Sequence, residues 1–181
     1  IDKNRIKNLK KGIDSNNESV DEITSCDVHF TSNEENLKET KYFIITVPTP
    51  VNKAKVPNMN AVINATKLVS KYISKDSFII YESTFYPGVT EEICLPIIEK
   101  ISGKKCNNDF FLGYSPERVN PGDKSKKLEN IVKIISGSCS YASKHIDELY
   151  SKIIKVGTCR VNSIKIAEAA KGIENIQRDV N

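Results

Sequence analysis

At 181 residues, 39% hydrophobic and 28% charged, the chain has the composition of an ordinary globular domain with a buried core. No apolar run approaches the ~20 residues of a membrane span. A net charge of +4 from scattered lysines, without an RNA-type aromatic motif, argues against a nucleic-acid partner.

From the start, Ile1 to Lys11 reads as a short amphipathic helix stopped by Gly12. Ile13 to Glu22 is a polar loop, Asp27–Phe30 a short strand, and Asn33 to Lys41 a charged connection. Tyr42–Val47, β-branched and closed by Pro48, is a strand. Met59–Ile73 has helical periodicity, and a turn at Asp76-Ser77 leads into the strand Ser77–Tyr81. Gly88–Ile101 reads as a helix with Thr90 as N-cap, and Pro96 predicts a kink or break within it. Phe110–Gly113 and Ile131–Ile135 are strands, Ser143–Ile153 a helix, Ile153–Val156 a short strand, and Asn162 to the end one long helix. This alternation predicts an α/β fold with a mostly parallel sheet. Ligands of such sheets gather beyond the carboxyl ends of the strands. Thr49, Thr84 and Glu117 each follow a strand.

The five cysteines, Cys26, Cys94, Cys106, Cys139 and Cys159, are odd in number and lack CxxC spacing. That points away from a disulfide scaffold or zinc site and toward a reducing cytoplasm. His29 and His145 lie far apart without a ligand cluster, so no metal is expected.

Four segments carry the candidate chemistry. Val47-Pro48-Thr49-Pro50 leaves a strand through two prolines, and a rigid turn explains it equally well. Glu82-Ser83-Thr84-Phe85-Tyr86-Pro87-Gly88 opens a helix, whose free N–H groups favour anions. Tyr114-Ser115-Pro116-Glu117-Arg118-Val119-Asn120-Pro121-Gly122 sets a carboxylate, a guanidinium and an amide within four residues after an apolar run. In the last helix Lys171 and Asn175, four apart, share a face, and Glu168 stands at ion-pair spacing before Lys171. Read alone, that trio is an exposed helix with an i,i+3 pair, and Glu117 is a solvated loop carboxylate.

Together these segments resemble the UDP-glucose/GDP-mannose dehydrogenase family, which oxidises the C6 alcohol of a nucleotide sugar to a carboxylate. The resemblance implies a Rossmann-like sheet with its first strand missing, followed by a long central helix. Residues 1–160 would be part of an NAD-binding domain and 161–181 the start of a connecting, dimerising helix. It implies NAD as cofactor, with Thr49 and Thr84 beside it. Arg5 falls near the adenosine moiety. The ribose-binding acid either precedes Ile1 or is Asp2. Glu117, together with Thr84 and a water, would serve the proton transfers, and Glu117 the thioester hydrolysis. Arg118, Val119 and Asn120 would run along the sugar and phosphate. Lys171 and Asn175 would face the developing oxyanion. Arg-Val-Asn-Pro-Gly-Asp after Glu117, where UDP-glucose enzymes carry a second acid, resembles the UDP-N-acetylhexosamine branch; Pro121 occupies the offset of that acid.

The resemblance thus implies a cytoplasmic homodimer acting on a UDP-sugar for capsule or O-antigen synthesis. UDP-glucose 6-dehydrogenase is the alternative on the same scaffold, and a noncatalytic dinucleotide-binding or interaction module the alternative of another class. The chain lacks both G-x-G-x-x-G and the family's nucleophilic cysteine setting. The expectation is an internal fragment, inactive by itself, whose parent captures the aldehyde on that cysteine.

Overall fold

The computed structural model describes residues 3–13, 27–118 and 128–180, apart from the side chains of 178 and 179. The chain divides into two compact units, residues 1–38 and 39–181. In the first, α1 (Lys3–Leu9) ends before Gly12, whose φ of 73° suits a residue without a Cβ. Asp27–Phe30 forms no strand: two β-formers among polar neighbours find no ladder partner among the described residues. A single 3₁₀ turn, Glu34–Leu37, is capped by the Asn33 side chain, which accepts from Glu35 N.

The second unit is a five-stranded sheet in the order β1 (Tyr42–Ile45), β2 (Ser77–Tyr81), β3 (Phe110–Tyr114), β4 (Lys133–Gly137), β5 (Thr158–Arg160). All pairs are parallel except β3–β4, so the sheet is mixed but mostly parallel. β2 and β3 are buried along their whole length, as their unbroken apolar sequences require in a sheet covered on both faces. β1 lies at the end of the sheet order and alternates, with Ile44 exposed.

Phe78, Ile80, Phe111 and Ile135 face one side, where Ala142, Ile146 and Tyr150 of α4 (Ser140–Tyr150) pack on them. Gly113 permits that approach: a Cβ there would lie 2.2 Å from Ile146 Cδ1. On the other side the Tyr81 hydroxyl is hydrogen-bonded at 2.8 Å to Thr66 of α2 (Asn60–Ser70).

Between β2 and β3 the expected helix is divided. Val89–Cys94 winds as a π-helix, and α3 (Leu95–Ser102) follows as an α-helix with Pro96 in its first turn. Pro96 has no N–H to continue the ladder at that junction, so the predicted break is a change of winding. Thr90 is not an N-cap: Gly88, in the left-handed region at φ 103°, precedes the π-helix. The expected strand Ile153–Val156 is a turn instead. Its amides bond back to Tyr150 O and Glu129 O, only Ile154 is buried among its apolar residues, and Gly157 (φ 92°) leads into β5. The last helix, α5, runs Ile164–Val180.

Candidate functional site

The carboxyl ends of β1, β2 and β3 are tied to one another. Glu82 N donates to Ile45 O and Ser115 N to Tyr81 O. The side chains repeat the pattern: Ser83 Oγ donates to Val47 O at 2.6 Å and Tyr114 Oη to Ser83 O at 3.0 Å. Ser115 Oγ donates to Ile134 O at 2.7 Å. The three loops that carry Thr49, Thr84 and Glu117 therefore leave a rigid platform. Burial pushes the Tyr81 and Tyr114 phenols well above their ordinary range, so both stay neutral, and Tyr114 donates to Ser83 O.

Over this platform lies α5. Lys171, 8% exposed, donates its ammonium to the backbone carbonyl of Glu117, and the Glu117 carboxylate is 3.7 Å away. Residues 54 apart in sequence thus meet in one ion pair. Arg118 beside them is turned toward the same helix. Its Nε lies 2.9 Å from Glu174 and its Nη1 donates to Val132 O.

Glu168 does not pair with Lys171. It is fully buried and accepts three bonds where the π-helix starts: from Gly88 N (2.6 Å), Thr90 N (2.9 Å) and Thr90 Oγ1 (2.7 Å). The helix that carries Lys171 is thereby fastened to the loop that carries Thr84. Thr49 and Thr84 line an apolar cleft of about 430 Å³ between the β1 and β2 exits and α5, with Glu168, Gly172, Ile173 and Ile176 opposite.

The structure therefore brings the predicted residues together in two groups. Glu117, Arg118 and Lys171 are joined by contacts; Thr49 and Thr84 line the cleft. Glu117, Lys171 and Asn175 are not among the cleft's lining residues; Asn175 is exposed, one turn beyond Lys171. Arg5 lies on α1, in the first unit. Asp2, Val119 and Asn120 fall outside the described residues.

Two features were missed from sequence. One is the role of Glu168, hidden in an Ala-rich helical stretch. The other is a pair of buried Lys133 and half-buried Glu82, 3.2 Å apart beneath the Ser115–Glu117 segment. A lysine inside the run Ile131-Val132-Lys133-Ile134-Ile135 was its signal, because a charge in a buried strand needs a partner.

Residues 1–154 match the UDP-glucose/GDP-mannose dehydrogenase family, NAD binding domain. The entire chain is 49% identical to UDP-N-acetyl-D-glucosamine 6-dehydrogenase of Salmonella typhi and 46% identical to Protein CapL of Staphylococcus aureus. It spans 43% of the length of each. In structure it matches a UDP-D-ManNAc dehydrogenase from Pyrococcus horikoshii with a TM-score of 0.90 at 29% identity, covering 99% of this chain and 44% of that one.

Proposed function

The chain belongs to the UDP-glucose/GDP-mannose dehydrogenase family, whose NAD-binding domain residues 1–154 match, and we propose that the whole protein oxidises the C6 alcohol of a UDP-N-acetylhexosamine to a uronic acid. The overall change is RCH₂OH + H₂O + 2 NAD⁺ to RCOO⁻ + 2 NADH + 3 H⁺. In the domain reading, residues 1–160 belong to the NAD domain and 161–181 begin the connecting helix.

The residues present suit NAD. Thr49 and Thr84 supply hydroxyls beyond two adjacent parallel strands, in the wall of an apolar cleft. When bound, NAD accepts hydride. In the ribose and adenosine roles, this reading keeps Asp2 and Arg5.

The single observation that carries the proposal is the Lys171–Glu117 contact. A mostly buried ammonium beside a half-exposed carboxylate can divide the work. Lys171, exchanging the Glu117 carbonyl for a substrate oxygen, holds the charge that develops as the alcohol loses its proton. Asn175 adds an amide donor. Such a donor is worth about 2.7–4 kcal/mol of barrier. Glu117 moves protons at the same carbon, and Arg118, Val119 and Asn120 follow the sugar and phosphate.

The remaining parts of the reading are a cytoplasmic homodimer joined through α5 and a place in capsule or O-antigen synthesis. The α5 interface is supported by two exposed apolar residues of that helix outside the cleft wall, Ile166 and Val180. NADH yield from the full-length protein tests the function. Two NADH per UDP-N-acetylhexosamine supports it, and a higher kcat/KM for UDP-glucose replaces the substrate. Calorimetry without binding of NAD or UDP-sugar would favour a noncatalytic module.

A further inference from the structure

Lys133 is 3% exposed, near the start of β4. Its ammonium is 3.2 Å from Glu82 Oε1, 3.4 Å from the Pro116 carbonyl oxygen, and 5.2 Å from the centre of the Tyr150 ring. The Tyr150 hydroxyl donates to the same Glu82 oxygen. Apolar residues of similar volume generally stabilise a fold as well as a buried ion pair does, so stability alone does not account for this cluster.

Its location does. Pro116 and Glu117 present consecutive carbonyls, and each takes a lysine: Lys133 from β4 below, Lys171 from α5 above. Ser115 is fixed to β4 as well, through Ile134 O. The backbone that aims the Glu117 side chain is thus held from the sheet by one buried cation, with Glu82 as its counter-ion and Tyr150 orienting that carboxylate. We infer that Lys133 is a positioning residue: it sets the place of Glu117 against Lys171 without touching substrate. The catalytic part of this inference rests on the acid–base reading of Glu117.

The test uses the full-length protein with Lys133→Met alone and Lys133→Met combined with Glu82→Gln. The single change leaves the half-buried Glu82 carboxylate without its cation and lowers Tm. The pair removes both charges and leaves Tyr150 an acceptor, so Tm returns most of the way to that of the wild type. The hold on Pro116 is still gone. In the folded pair, exchange of the Ser115 amide, which donates to Tyr81 O, should accelerate by about 10-fold, the change expected for a loss of about 1.4 kcal/mol. Misplacement of the acid–base group should lower kcat by about 100-fold with little change in KM.

A folded pair with wild-type exchange at Ser115 overturns the inference, as does one with wild-type kcat. Exchange is read without substrate, so it judges the positioning even if the wild-type protein oxidises no UDP-sugar, a result that would instead overturn the proposed function.

Discussion

Replacing Glu168 by Ala tests whether α5 is fastened to the β2 exit by one carboxylate. The substitution leaves two backbone N–H groups and the Thr90 hydroxyl without their acceptor. Each buried orphan costs about 1–3 kcal/mol. Because Glu168 borders the cleft, water can reach the freed groups, which favours the low end, about 3 kcal/mol altogether. Glu168→Gln is not mild: its amide must turn a donor toward at least one N–H donor, for a loss of about 2 kcal/mol. Thr90→Val removes a single bond and should cost about 1 kcal/mol. Urea unfolding followed by circular dichroism measures all three, provided m is unchanged. Glu168→Ala within about 0.5 kcal/mol of wild type would refute the fastening, since that is the scatter of an ordinary surface change.

Gly172→Ala should stabilise α5 by about 1 kcal/mol, because a Cβ there meets nothing within 4 Å; an unchanged or lowered urea midpoint contradicts this. Gly113→Ala should cost about 1–3 kcal/mol in the same assay, with Ile146 Cδ1 at 2.2 Å and Ser136 O at 3.1 Å from the new methyl; a neutral result would mean α4 can move away. Tyr81, Tyr114 and Tyr150 have phenol pKa values raised first by burial, so near and above their ordinary 10.0 the folded chain binds more protons than the unfolded one. Stability from these groups is complete below that pH. It falls as pH rises, by about 1.4 kcal/mol per pH unit for each phenol that ionises only on unfolding. Unfolding midpoints between about pH 9 and 11 measure the slope. Tyr114→Phe should flatten it, and an equal slope in that variant counts against the assignment.

Much of the sheet was legible because β2 and β3 are continuous apolar runs between clear turn signals, and such runs have few alternatives to a buried strand. The same rule failed at Ile153–Val156, where one buried isoleucine fills a gap under a turn and a short apolar sequence looks like a strand. At the site, Glu117 and Lys171 were legible through a resemblance of motifs; their separation of 54 residues carries no local signal. Glu168 was misread because i,i+3 spacing favours its neighbour Lys171 only while both are exposed. Once buried, the carboxylate went to the N–H groups of Gly88 and Thr90, and the lysine to the Glu117 carbonyl. Side chains that bond across elements obey the geometry of packing, and sequence periodicity reports only one element at a time.

The proposed chemistry requires Lys171 and Glu117 to form the reacting centre. Steady-state kinetics of Lys171→Ala in the full-length protein, with NAD and a UDP-N-acetylhexosamine, test it most directly. In that variant kcat should fall by about 10²–10³-fold while the sugar still binds. A kcat within about threefold of wild type, a change of less than 1 kcal/mol in barrier, would contradict it.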